Sequence, residues 1–411
     1  MAEGLCCIIK YCKNVFVYNR LLTSNFAAMD SFLVQPVSKR AARLSIGAFF
    51  FIAGLCFASW ASRIPDIKLK LGLSDGGLGA VLFALPVGLM VSLPFSGWLV
   101  HRFGSRKVVL LAASFYPFIL CNIGLVQVTW HLVLVLFAFG FVGNLSNIAV
   151  NTQAVSLEVL YGRSIMASFH GIWSMAGFTG AAIGNLMINL HLAPFTHFCI
   201  ITGTAYLLIA LLYRNTLRQD INADEDRPLF AIPDATLLKL GLIAMCCMVC
   251  EGAMFEWSGV YFQKIVQAPK GLIILGYTAF MATMAGGRFA GDKLVARVGT
   301  LRVLQISGLV IATGLIVAIG FPSIVTATIG FMLVGIGVSS VVPLVYSVAG
   351  KSTVFSPGVA LAAVSTIGYL GFLAGPPLIG FISQAANLRV SFALIALLGF
   401  CTTVISSKTK F

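Results

Sequence analysis

The run SGWLVHRFGSRKV at residues 96–108 returns, one half-chain later, as GDKLVARVGTLRV at 291–303. Arg102, Gly104 and Val108 of the first fall on Arg297, Gly299 and Val303 of the second at a constant offset of 195 residues. Nearly the same shift relates Trp60 in FASW to Trp257 in FEWS, and Gly177-Phe178 to Gly371-Phe372. Self-similarity at one long offset marks a duplicated unit. Its composition says where it resides: of 411 residues, 59% are hydrophobic and 10% charged, where soluble domains average roughly 45–50% and about 25%. A mean hydropathy of +0.98 excludes an ordinary soluble protein and describes helices that face lipid.

A spanning helix needs about 20 apolar residues, so the chain has room for about a dozen. Apolar stretches lie near 44–62, 77–100, 107–127, 131–157, 165–189, 194–213, 237–262, 271–291, 302–321, 323–348, 357–384 and 388–406. The polar segment from Arg214 to Pro233 has the composition of a solvated linker and divides these twelve into two sets of six. The expected organisation is a lead at 1–43, a six-helix bundle at 44–213, a linker at 214–236, a second bundle at 237–406 and a tail at 407–411. The fold class is therefore all-α integral membrane, with twelve transmembrane helices in two pseudo-symmetric six-helix bundles. Parallel repeats related by an axis along the membrane normal place a solute site near the midplane, where the halves meet, and rocking of the halves gives alternating access.

The net charge of +14 comes from 27 Lys/Arg against 13 Asp/Glu. No basic domain gathers them, so nucleic acid is not expected as a partner and the excess reads as topology. With an even number of spans, 20 of the 27 basic residues fall on the side of the termini, six on the other side, and Arg288 lies within a helix. By the positive-inside rule both termini are cytoplasmic, and so are the lead, linker and tail. Residues 1–40 contain no apolar run of signal-peptide length, and Met29 is a second candidate start. The ten cysteines sit mostly in apolar stretches, where Cys packs as a small hydrophobe. Cys247 and Cys250 form a CxxC with no His or further Cys at ligand spacing, so neither metal nor cofactor is expected. No HExxH, GxxxxGK[ST] or Ser/His/Asp cluster argues for an enzyme or for direct use of ATP.

The first copy of the repeat resembles the loop signature of the major facilitator superfamily, Gly-x3-Asp-Arg-x-Gly-Arg-Arg/Lys, at Gly97, His101, Arg102, Gly104, Arg106 and Lys107. His101 stands where the family has Asp. The resemblance extends over about 44–406. EGAMFEWSGVY at 251–261, GRFAGDKLVARVG at 287–299, VVPLVYSVAG at 341–350 and GYLGFLAGPPLIGF at 368–381 are similar to the YbjJ-type branch of bacterial inner-membrane facilitators, distantly fucose-permease-like. This implies the major facilitator fold and a monomeric, multi-pass transporter of the bacterial inner (plasma) membrane.

Arg and Lys stabilise the negative ends of helices and pair with acids on neighbouring helices, so the signature loop can latch the halves on one side. Arg102, Arg106 and Glu158 are the candidates in the first half, and Arg288, Asp292, Lys293 and Arg297 in the second. The competing reading is that these basic residues only set topology.

An ionisable residue at bilayer depth costs at least about 2.5–3.5 kcal/mol on insertion scales and is a functional candidate by default. Counted from Lys239 at 1.5 Å per residue, Glu251 lies roughly 18 Å into the seventh helix. Glu256 lies one and a half turns further on and about 140° around. Glu251 is read as the proton carrier, and Glu256, beside Trp257, as a substrate contact or a seal. Against both stands a protonated carboxyl acting only as hydrogen-bonding glue. Asn144, Asn147 and Asn151 share a face of the fourth helix, offered to solute hydroxyls or to other helices. His170, Trp173, Ser174 and Gly177 share a face of the fifth, with His170 a proton relay or an interhelical hydrogen bond. Trp60 and Trp257 stack on a sugar-like ring or belong to an interfacial belt. The expected function is transport of a small polar, sugar-like solute by alternating access with proton coupling. The rival is proton-driven export of amphipathic toxic compounds. A membrane sensor would need an effector domain, for which the linker is too short.

Overall fold

In hydrocarbon every backbone amide has to find its partner within the protein, and a chain this apolar meets that demand by forming helices. The computed structural model describes residues 38–162, 165–220, 234–350, 352, 354 and 357–409. Among these residues there are thirteen α-helices and no strand. They are α1 (Lys39–Lys70), α2 (Asp75–Leu82), α3 (Ala84–Phe103), α4 (Ser105–Leu125), α5 (Thr129–Tyr161), α6 (Met166–Asn189) and α7 (Pro194–Leu212) in the first half. The second half holds α8 (Ala235–Lys264), α9 (Leu275–Val298), α10 (Thr300–Gly320), α11 (Ile324–Ala349), α12 (Pro357–Ala385) and α13 (Leu388–Ser407). The lead before residue 38 with Met29, most of the linker, and Arg163, Lys351 and Lys410 lie outside the described residues.

Among the described residues, twelve segments are long and apolar enough to cross a membrane, the number expected from the sequence. Two of them differ in detail. The first helix runs through Arg63 and Asp66, which the sequence reading leaves in a loop. Arg63 is buried there, donating to Asp66 at 2.6 Å, His197 Nδ1 at 3.2 Å and the Leu192 carbonyl at 2.9 Å. The second span is one helix in the sequence reading but is interrupted at Phe83. Pro86 has no N–H to give to the Leu82 carbonyl, four residues back, and the ladder breaks at that turn.

The two halves repeat one packing plan. Helix α1 lies along α6 as α8 lies along α12, α3 along α5 as α9 along α11, and α4 along α7 as α10 along α13. The quoted repeat is visible at the backbone: Gly104 (φ +80, ψ 146) and Gly299 (φ +87, ψ 151) join α3 to α4 and α9 to α10 in the same left-handed-φ conformation, which L side chains rarely adopt. Close helix crossings inside each half rest on glycine. A Cβ at Gly140 of α5 would overlap the Leu85 carbonyl of α3, and one at Gly314 of α10 would overlap the Gly330 carbonyl of α11. Such spacing is how helices pack where burial from water supplies no drive.

Contact between the halves runs through α2 with α12, α6 with α9, and α1 with α8. At the end away from the termini these contacts are polar and tight. Asp75, at the start of α2, pairs with Lys68 of its own half and with Lys264 of the other at 2.7 Å, and accepts from Ser383 of α12 at 2.6 Å. Gln384 Oε1 accepts from Ser74 at 2.9 Å and from the Gly76 amide at 2.8 Å. Asn189 Nδ2 donates to the Gly271 carbonyl at 3.2 Å. At the end that carries the termini, His101, Arg102, Lys107, Lys293 and Arg297 are exposed, and nothing lies within 4 Å of a Cβ built at Gly97 or Gly299. Among the described residues, the polar contacts between the halves therefore gather at the end away from the termini, which they close.

The Asp75–Lys264 pair crosses the seam, and losing a half-exposed pair costs about 1 kcal/mol, or roughly a fivefold change in population. In Lys264→Ala, spin labels at Leu71 and Gln267 on a cysteine-free background should gain a longer-distance component by double electron–electron resonance. An unaltered distance distribution would show that the pair does not hold this end shut. Gly140→Leu should lower the melting temperature of the purified protein, since overpacking a tight crossing costs about 1–3 kcal/mol.

Candidate functional site

Depth and pairing single out one group of residues where the halves meet. On α8, Glu251 is buried. Its Oε1 accepts from Arg288 Nη2 of α9 at 3.1 Å. Arg288 Nη1 reaches across to the other half and donates to Ser174 Oγ of α6 at 2.6 Å, while its guanidinium carbon lies 5.8 Å from the ring centroid of Trp173. Arg288 Nε is buried and has no hydrogen-bond partner. Ten residues separate Arg288 from the end of α9 at Val298, placing it about 15 Å from that end. The sequence reading groups Arg288 with Asp292, Lys293 and Arg297, but its contacts place it beside Glu251, well away from the loop. The side chain of Asp292 lies outside the described residues.

An aromatic cluster adjoins the pair toward the closed end. Phe255, one turn beyond Glu251, lies 5.3 Å from Phe57 and 6.3 Å from Trp173 between ring centroids, and 5.7 Å from Phe280. Phe57 comes from α1 and Trp173 from α6, so this cluster too is shared by the halves. His170, one turn from Ser174, is exposed and meets Phe50 edge-on at 5.6 Å. Its carbonyl accepts from Ser174 Oγ at 3.0 Å.

The other candidates fall elsewhere. Asn151 Nδ2 donates to the Asn147 carbonyl at 2.8 Å and to Asn147 Oδ1 at 2.9 Å, so one amide of the stripe turns its donor along α5 to another. Asn144 is buried with its Nδ2 unpartnered. Trp60 and Trp257 are 1% and 0% exposed, which removes the interfacial belt as a reading, and both indole N–H groups lack a partner. Glu256 is buried with Oε2 unpartnered, on a different face of α8 from Glu251. Cys247 and Cys250 point to separate carbonyls, of Val338 and Ile395.

The signature loop is stitched into its own half. Asp220 Oδ2 accepts from the Ser105 amide at 2.7 Å, and its other oxygen from the Ser105 hydroxyl. Gln153 Nε2 donates to Ser105 Oγ at 2.6 Å and to the Leu217 carbonyl at 3.0 Å. Arg106 donates to the Arg214 carbonyl at 3.2 Å and covers the Tyr213 ring at 5.0 Å. A carboxylate at the positive N-terminus of α4 is favourable, and Asp220 supplies it where His101 leaves none. Glu158 Oε2 accepts from the Ile165 and Met166 amides at 2.7 and 2.9 Å, at the start of α6. Arg102 is exposed and makes no ion pair among the described residues.

Sequence reasoning misses Asp220, Asp75, Lys264 and Ser383. An acid two residues before an apolar helix, close behind two lysines, was the available signal for Asp75. Nothing marks Asp220 within a polar linker.

Several proteins share this architecture. The chain is 37% identical over 374 residues to an uncharacterized MFS-type transporter of Yersinia pestis, covering 90% of this chain and 94% of that one. It superposes on a bacterial homologue of the human lysosomal transporter Spinster, in an inward-facing and occupied conformation, with a TM-score of 0.72 at 15% identity, covering 92% of this chain and 98% of that one. Against a mutant of the nucleoside transporter NupG the TM-score is 0.71 at 14% identity, with 89% and 99% covered. The sequence model of the Major Facilitator Superfamily matches residues 44–356, and the chain belongs to that family.

Proposed function

We propose that this multi-pass membrane transporter moves a small polar, hydroxylated solute by alternating access and draws on a proton gradient through Glu251. The observation that carries the reading is the bridge Glu251–Arg288–Ser174, a buried ion pair tied across the seam between the halves. A carboxyl that either pairs with Arg288 or holds a proton can couple proton binding to the contact between the bundles, because the same guanidinium makes both bonds. Removing one partner of a buried pair leaves the other charge uncompensated, at a cost of about 3–5 kcal/mol. Protonation therefore has to be accompanied by a rearrangement around Arg288.

Orientation follows from the basic residues on the terminal side. With the termini in the cytoplasm of a bacterial inner membrane, the described state is inward-open and sealed on the outside by Asp75, Lys264, Ser383 and Gln384. Transport by one copy of the chain suffices, since both halves of the site come from the same chain. The aromatic group Phe57, Trp173, Phe255 and Phe280 favours a second reading, export of amphipathic compounds. NupG is a nucleoside transporter, so nucleosides belong beside sugars in a substrate screen.

In proteoliposomes, an imposed pH gradient should drive uphill accumulation of the solute found by such a screen. Glu251→Gln should abolish accumulation while exchange down a gradient persists; accumulation at the normal level in that variant would remove Glu251 from the coupling step. Arg102→Ala should leave transport within about twofold, because an exposed surface charge without a partner contributes little. A loss of tenfold or more would give the signature loop a gating role.

A further inference from the structure

We infer that the solute carries a carboxylate, which takes the place of Glu251 on Arg288 when Glu251 takes a proton. The inference rests on the reading of Glu251 as the proton carrier and adds what that reading does not say, the charge of the solute.

Arg288 is the one basic side chain at this depth among the described residues of the spans, and Glu251 is its one acid partner. The pair is single-pronged, through Nη2 alone, while Nη1 is occupied by Ser174 and the Nε–H is buried with no acceptor. A guanidinium presents its donors as a planar fork that matches a carboxylate two bonds at a time. Here one donor of the fork is unsatisfied and a second is held by a group that the transport cycle neutralises. Once Glu251 is protonated, the guanidinium keeps its charge. Among the described residues its remaining neighbours offer no carboxylate: the Ser174 hydroxyl, the Trp173 ring, the imidazole and carbonyl of His170 on α6, and the Cys247 thiol on α8, while Tyr346 of α11 faces Glu251. Glu256 cannot stand in, because five residues separate it from Glu251 and five residues turn a helix by about 140°. A neutral solute would leave an unpaired cation at bilayer depth during the passage of the loaded carrier.

An acid removes that difficulty. The proton goes to a Glu251 carboxylate oxygen, the Nη2 bond to Glu251 is released, and the solute carboxylate accepts from Nη2 and Nε. The empty site holds Arg⁺ and Glu⁻; the loaded site holds Arg⁺, neutral Glu and the solute anion. Both are neutral, so both cross without exposing net charge to the low-dielectric core. Transport of one anion with one proton is electroneutral, whereas a neutral solute with one proton carries charge.

The test uses two matched sets of probes: D-glucuronate, D-glucose and D-glucosamine, and lactate, propane-1,2-diol and 1-aminopropan-2-ol. Binding is read from tryptophan fluorescence and thermal shift on the full-length protein, at about pH 5.5 and about pH 8. At least one acid should bind, more tightly than its neutral and cationic counterparts and by about tenfold more at the lower pH. Glu251→Gln, which imitates the protonated carboxyl, should bind the acid equally at both pH values. Arg288→Gln should lose acid binding. Arg288→Lys, which keeps the charge and loses the fork, should weaken it, and serves if the glutamine variant does not fold. In proteoliposomes the acid should accumulate under a pH gradient and show no response to a potassium-valinomycin potential. Failure of both acids to bind, preference for a neutral or cationic probe, or acid binding unchanged in Arg288→Gln and Arg288→Lys would overturn the inference. Potential-driven uptake of a neutral probe that requires Glu251 would overturn it while leaving the proton-carrier reading intact. Arg288-dependent acid binding whose pH dependence survives in Glu251→Gln would support the anionic solute and overturn the proton carrier.

Discussion

A charge withdrawn from water has to be met by an opposite charge or by hydrogen-bond donors, and this constraint organises the parts of the molecule that its apolar surface does not. Three groups among the described residues obey it, while Glu256, buried with Oε2 unpartnered, stands outside them. Arg63 is buried against Asp66, His197 and the Leu192 carbonyl, all within the first half. Asp75 sits between two lysines and a serine at the closed end, with Lys264 and Ser383 drawn from the second half. Glu251 and Arg288 pair where the halves meet, with Ser174 opposite. The first is internal to one bundle and can travel with it as a rigid unit. The other two cross the seam, so moving one bundle against the other has to break or exchange them.

The contrast with packing inside each half is physical. Within a bundle, glycines bring helix backbones together at Gly140 against Leu85 and at Gly314 against Gly330. Such contacts are lost steeply with any separation, because dispersion falls off over a fraction of an ångström. Across the seam, Gly79 of α2 also meets Gly380 and the Pro376 carbonyl of α12 at close range, but the ties around that crossing are hydrogen bonds and ion pairs from side chains that have other partners in water. Those polar ties can be exchanged for water when one bundle moves against the other, as a rocking transporter needs.

Much of this was legible in the sequence, and the limits have identifiable causes. Span number and the repeat rest on composition and on spacing along the chain, which the linear sequence carries directly; Gly104 and Gly299, matched by offset, prove matched in backbone angles. Helix ends were less legible because Pro86 acts on the carbonyl four residues behind it, so the break falls at Phe83, before the proline. The candidate site was half readable. Glu251 declared itself, with Glu256, as an acid at depth. Its partner did not, because Arg288 lies in a run of basic residues that reads as one motif while ten residues of helix carry it away from the loop. Ser174 and Asp75 owe their positions to contacts between halves, and no local pattern reports those. In the Asn144, Asn147 and Asn151 stripe the spacing is real, and what it does not report is that Asn151 donates to Asn147 along the helix.

The strength of the seam sets what the solute has to supply. The polar bonds across the seam, each worth about 1 kcal/mol net, contribute a few kilocalories together, comparable with the range of about 1–3 kcal/mol typical of coupling between sites. A ligand shifts a conformational equilibrium only by its differential affinity for the two states. The arrangement at Arg288 provides that difference locally, since the guanidinium that a solute would engage is the same one that bonds Ser174 on the opposite half. Any solute group that competes for its donors changes the tie between the bundles in the same step as it binds. Under the proposed reading, coupling of occupancy to rocking requires no relay between distant sites: one side chain, shared by the ion pair, the seam and the proposed site, would carry it.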